Sequence, residues 1–169
     1  MLKRNSLLGI FLLLVYYSIG QSIDISAKNA NRAISISTEL MSRGDYKKSL
    51  NEARTVLDYF VTSNNKTKIA YCYFLIGKAE FFLDHLDSAM VHFMKGIDAI
   101  QNIDCIERAL LYDCVGKLLF NADQDSKALY YYLQAEEITK KFKDTTEQIY
   151  NQICIADVYV DLKKNDLHI

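Results

Sequence analysis

Two lysines carry the most suggestive chemistry in this 169-residue chain. Lys78 is followed three residues later by Phe81, and Lys117 is followed three residues later by Phe120. A lysine beside an aromatic ring, repeated along a groove, can clamp a carboxylate with its ammonium and an apolar side chain with the ring. Most lysines are simply solvated, so this chemistry depends on where the fold puts the two pairs.

The other reactive side chains form no catalytic pattern. His85, His92 and His168 have no carboxylate or thiol at a triad or metal-ligand spacing, and all three read as surface residues. Cys72, Cys105, Cys114 and Cys154 include no Cys-x-x-Cys motif. Cys114 and Cys154 lie 40 positions apart, in corresponding places of neighbouring helices. A disulfide tolerates only a narrow Cα separation, so the four are expected to be small core hydrophobes. No Gly-rich phosphate loop, Gly-x-Ser-x-Gly elbow or paired catalytic carboxylates occur. The sequence therefore predicts no enzyme, no cofactor and no metal.

Composition narrows the class further. The net charge is −1, and about −3 once Lys3 and Arg4 are removed with the first twenty residues, which gives no field for nucleic acid. Half the residues are hydrophobic, there is no Pro, and Gly occurs six times. Such a chain favours helix throughout and is long enough for one domain.

The elements that position the lysines are repeats. Sliding Ala70–Ile100 onto Ala109–Thr139 superposes Gly77 on Gly116, Lys78 on Lys117, Phe81 on Phe120, Ala89 on Ala128 and Phe93 on Tyr132. Gly96 falls on Ala135. A period of this size means stacked helical pairs. The small residues are expected where two helix backbones approach, Gly77 against Ala89 and Gly116 against Ala128, because cores feel one extra methylene. Between the helices, Asp84–Asp87 and Asp123–Ser126 read as polar turns whose Asp and Ser can cap the next helix.

This pattern resembles the tetratricopeptide repeat. Ile76-Gly77 and Val115-Gly116 match that family's Leu-Gly step, and Ala89, Phe93, Gly96 and Ala128, Tyr132, Ala135 match its second half. Gly44-Asp45-Tyr46 matches its interhelix turn. Departures are the longer period, the missing closing Pro, and Glu80 and Leu119 where an aromatic normally stands. The resemblance implies an all-α solenoid of about three and a half antiparallel helix pairs in a right-handed superhelix, with pairs near 28–62, 67–101 and 106–141 and a partial one at 145–169. It also implies a concave wall built from the first helix of each pair. By analogy that wall holds Asn31, Ile34, Thr38 and Met41, then Tyr71, Phe74, Lys78 and Phe81. It continues with Leu110, Asp113, Lys117 and Phe120, and ends with Tyr150, Ile153, Asp157 and Val160. Asp113 and Ile153 stand where a chaperone-binding carboxylate clamp would want Asn or Lys, so chaperone-tail binding is not expected.

Both ends of the sequence carry further expectations. Lys3 and Arg4 precede an apolar run, Leu7–Tyr17, and Ser18-Ile19-Gly20 supplies small residues before Gln21. This is the layout of a secretory signal over residues 1–20, too short to span a bilayer comfortably. The chain is thus expected to be exported, periplasmic or extracellular, with no membrane span after cleavage. At the other end, Ile149, Ile153, Ala156, Tyr159, Val160 and Leu162 form an apolar stripe, with Ala156 in the place of Gly116. A turn-like Lys163–Leu167 follows it, and this leads to the expectation of a fragment, a capping helix or a self-associating end. A signal followed by long-period repeats also resembles the sensor half of certain bacterial regulators. The expected function is an exported protein–protein interaction scaffold that binds a protein or peptide, in a sensory or docking role. The alternative is an assembly factor that self-associates through its last helix.

Overall fold

The computed structural model describes residues 26–166, with side chains described through Lys164. The expected signal over residues 1–20 and His168 lie outside the described residues. The described residues are all-α and contain no strand. Residues 26–42 form α1, followed by α2 (Tyr46–Thr62), α3 (Lys66–Phe82), α4 (Leu86–Ala99), α5 (Ile106–Asn121), α6 (Asp125–Phe142) and α7 (Thr145–Asp166). Each helix from α2 onward packs on its chain neighbours, and α3 and α5 also touch, as do α5 and α7. This is the expected all-α solenoid.

The helices divide into inner and outer kinds, and their sequences say why. Helix α3 buries Ala70, Cys72, Phe74, Leu75, Ile76, Gly77, Ala79 and Glu80, which cover most of its circumference. Helix α5 does the same with Ala109, Leu111, Asp113, Val115, Gly116 and Leu118. A helix apolar nearly all round must be enclosed. Helix α4 instead buries only Ala89, Phe93 and Gly96, and α6 buries Ala128, Tyr132, Ala135 and Thr139. Those residues form one stripe at helical spacing, so α4 and α6 lie outside with their other faces in water.

The glycines work slightly differently from expectation. A β-carbon on Gly77 would sit 2.5 Å from the Phe93 ring, and one on Gly116 would sit 2.8 Å from the Tyr132 ring. The close partner is therefore the aromatic one turn beyond Ala89 or Ala128. The two alanines are themselves fully buried. The repeat thus works as a socket, with glycine on the first helix and an aromatic knob on the second.

The turns also differ. Asp84 and Asp123 do not cap the next helix; they adopt positive φ, at 64° and 56°. The residues directly before α4 and α6 are His85 and Gln124, and neither makes a side-chain cap bond. Gly44, Asn64 and Lys143 take the same left-handed conformation at the other tight turns. Asn65 does cap, accepting from the Lys68 N–H at 3.2 Å.

In α1 the buried residues are Ala30, Ile34, Ser37 and Met41. Ile34 and Met41, expected on the concave wall, belong to the core instead. Ser37 is held by Ser49 of α2 through bonds of 2.8–2.9 Å in both directions, which ties the first pair together.

Glu80, at the place of a missing aromatic, is 4% exposed. It accepts from Arg54 Nη2 of α2 at 2.6 Å and pairs with His85 Nδ1 at 2.6 Å. A polar clip replaces the ring and links the first two repeats.

Candidate functional site

Helices α3, α5 and α7 enclose a cavity of about 350 Å³ on the wall built from the first helix of each pair. Seven residues expected on the groove line it: Phe74, Lys78, Phe81, Leu110, Asp113, Lys117 and Tyr150. Phe82, Phe93, Cys114 and Glu147 line it as well and were not expected there. Tyr71 lies further along the wall, within 3.4 Å of the Thr38 hydroxyl. Phe120 packs instead on the cluster of Ala128, Tyr132 and Val158. Ile153, Asp157 and Val160 are exposed on α7 and do not line the cavity.

The two lysines are not equivalent. Lys78 Nζ stands 5.3 Å from the centre of the Phe74 ring on its own helix. Lys117 Nζ stands 5.7 Å from the centre of Phe81, on the preceding first helix. Such contacts give about 0.5–1 kcal/mol when exposed. Among the described residues neither lysine has a carboxylate within ion-pair distance. Both ammonium groups are thus parked on rings without a direct ion pair among the described residues, and Lys78 acts on Glu147 only at longer range.

The acids lie deeper. Asp113 Oδ2 accepts from Asn151 Nδ2 of α7 at 3.4 Å. Burial, reinforced by the Glu147 charge, pushes the Asp113 carboxyl up to about 8. Burial also raises Glu147, with Asp144 adding to the shift and Lys78 opposing it. Glu147 lies in the first turn of α7, before the apolar stripe begins, so no repeat signal marked it.

The four thiols are unpaired, and Cys114 and Cys154 form no disulfide. Burial pushes Cys72 and Cys114 up to about 12, far from a reactive thiolate. Burial raises the Cys154 thiol, and the neighbouring Tyr150 and Tyr132 hydroxyls oppose the shift. His85 belongs to the Glu80 clip. His92 is half-buried and stacks on Tyr73 at 6.2 Å, and burial lowers its pKa. Among the described residues no group of three or more His, Cys, Asp or Glu is placed to hold a metal ion. No described helix is long and apolar enough to cross a membrane.

On α7 the stripe Ile149, Ile153, Ala156 and Val160 repeats the spacing of Ala109, Asp113, Gly116 and Phe120 on α5. On α5 the Gly116 and Phe120 part of that face receives α6. On α7 it lies open, with Ile149, Ile153 and Val160 each more than half exposed and Ala156 exposed as well. Ala156 therefore packs no second helix among the described residues. The helix turns its other side, with Asn151 and Val158 fully buried, toward α5 and α6.

Several solved structures share this architecture. The apo form of RapI superposes with a TM-score of 0.72 at 17% identity over 83% of this chain and 52% of that one. A Rap protein complexed with competence and sporulation factor gives 0.73 at 16% identity, covering 82% of this chain and 39% of that one. A TPR-like protein from Chlorobium tepidum gives 0.62 at 14% identity, covering 79% and 96%. The fold is a TPR-like helical repeat. The chain spans about half or less of the length of the two Rap structures. No protein-family model matches the chain, and no curated protein matches it.

Proposed function

We propose that this chain is a protein-interaction scaffold whose concave wall holds an extended peptide or a protein segment. The observation that carries this reading is the cavity between α3, α5 and α7, where aromatic rings sit beside two lysines that pair with no carboxylate of the described residues. Parked ammonium groups keep most of their attraction for an incoming acid, and the rings supply apolar contact. A Rap protein of the same fold crystallised as a complex with competence and sporulation factor, which supports a binding role for the architecture. The test is a pull-down from cells of origin followed by titration of the recovered partner. Lys78→Glu with Lys117→Glu should weaken binding at least tenfold, and unchanged affinity would remove the groove from consideration.

The same proposal includes export and a sensory or docking role ahead of a signalling output. Its support is the charged start, apolar run and small residues over 1–20, and the layout of signal followed by repeats. N-terminal sequencing of exported material should begin at or near Gln21, and material still beginning at Met1 would refute cleavage.

A second reading is favoured by the open face of α7, where three large apolar side chains are more than half exposed. Self-association through that face would bury them. Light scattering should then show a dimer or larger species that Ile153→Glu converts to monomer; a monomeric parent protein speaks against it.

A further inference from the structure

One carboxylate in the cavity is built for a partner it does not have. Asp113 is 5% exposed, lines the cavity, and has a single long bond from Asn151 to one of its oxygens. Its Oδ1 has no partner, and neither has the buried Oδ1 of Asn151 beside it. Proteins leave few buried polar atoms unsatisfied. The oxygen itself is closed off, but its residue lines open space, so a modest turn of the carboxyl would offer it to a donor brought from outside.

The surroundings select the kind of donor. Glu147 is a second acid on the same cavity and lies close enough to raise Asp113. A neutral N–H would fill one lone pair, whereas a cationic donor also meets the Glu147 charge and favours the ionised form of Asp113. Aromatic walls suit a cation, since ring faces attract positive charge. We propose that the cavity takes the guanidinium or ammonium of a basic side chain from a bound peptide, with Asp113 as counter-ion and Glu147 as second acceptor. This rests on the scaffold reading above and adds the chemistry of one subsite to it. Lys78 and Lys117 then serve the acidic groups of the same ligand.

Titration follows from the geometry. The groups facing Asp113 are Lys78 from α3, Cys114 and Lys117 from its own helix, Tyr132 from α6, and Glu147, Tyr150 and Cys154 from α7. Burial and Glu147 keep Asp113 protonated up to about pH 8. A cation binds the ionised form, so binding expels a proton. Affinity should rise by about tenfold per pH unit toward pH 8 and level off above it.

The probes are Nα-acetyl-arginine amide and its uncharged isostere Nα-acetyl-citrulline amide, titrated into the full chain by NMR. The arginine derivative should bind at least tenfold more tightly at pH 8, with the pH rise described, and Asp113→Asn should erase the preference. Equal affinities, no binding of either probe in the millimolar range, or a preference that survives Asp113→Asn would each overturn the proposal. Should Asp113→Asn misfold by circular dichroism, Glu147→Gln must reduce the preference several-fold, and an unchanged preference counts against it. The lysine variants separate the two claims. A partner lost on Lys78→Glu with Lys117→Glu, without arginine preference, refutes the cation subsite alone. Arginine preference through Asp113, with partner binding indifferent to the lysines, refutes the peptide groove and leaves a small-cation site.

Discussion

Gly77 on α3 and Phe93 on α4 occupy what would otherwise be one volume: a β-carbon on the glycine would lie 2.5 and 2.6 Å from two atoms of the ring. The ring is 1% exposed. Gly77→Ala gains helix propensity of about 0.5–1 kcal/mol but overpacks a close-packed site at about 1–3 kcal/mol. The net expectation is a loss of roughly 1–2 kcal/mol, read from the urea midpoint. Combining it with Phe93→Leu should lose less than the two single changes added together, since both act on the same contact.

Arg54 is the main charged partner of a buried acid. Arg54→Ala leaves Glu80 with only His85, and is expected to destabilise by about 1–3 kcal/mol, the cost of a poorly satisfied buried group. Replacing the acid as well, in Arg54→Ala with Glu80→Leu, should recover much of the loss. Denaturation of the three variants checks this.

The left-handed turn residues give a stabilising prediction. Lys143 holds φ at 57° beyond the end of α6, a conformation glycine adopts without strain. Lys143→Gly is expected to raise stability by up to about 1 kcal/mol. Gly44→Ala, where φ is 81°, should lower it by a similar amount. Melting temperatures should move in opposite directions.

The pH dependence of stability carries the mark of Asp113. In the folded chain its carboxyl stays protonated up to about 8, whereas an unfolded aspartate ionises near 4. Folding therefore favours the protonated form. The contribution is intact below about pH 4, falls as pH rises toward 8, and is level above that. Asp113→Asn cannot ionise and should be more stable than the parent above pH 8, on the order of a few kcal/mol, with the decline between pH 4 and 8 flattened. Urea titrations at about pH 5, 7 and 9 measure this.

Thiol chemistry offers a further check. Cys72 and Cys114 are pushed up to about 12 by burial, so the thiolate that reacts is scarce at neutral pH. Alkylation of the native protein at these two positions should be much slower than in urea, and all four cysteines should titrate as free thiols once unfolded.

The solenoid was legible because recurring small residues and aromatics report backbone proximity directly. Gly77, Gly116, Ala89 and Ala128 repeat because helix spacing tolerates nothing larger. What they touch was less legible: the sequence shows that something must be small, and the structure shows that the neighbour is a ring. The fate of Glu80 was hidden because Arg54 and His85 reach it from different elements at no repeating interval. The turn aspartates were misjudged as caps because Asp suits both a cap and a left-handed bend. At the cavity, the positions of Phe74, Lys78, Asp113 and Lys117 followed from the repeat register. Glu147 did not, since it precedes the α7 stripe, and the orphan oxygen of Asp113 depends on packing that spacing alone does not encode.

The position of Lys117 ties occupancy to shape. Its ammonium rests on Phe81 of the neighbouring repeat, so it acts as a latch between α5 and α3. Lys78 rests on its own helix and latches nothing. A ligand that draws Lys117 away must release that latch, loosening one repeat against the next. A ligand that engages only Lys78 leaves the stack as it was, so the two near-identical pairs in the sequence would report the same guest in different ways.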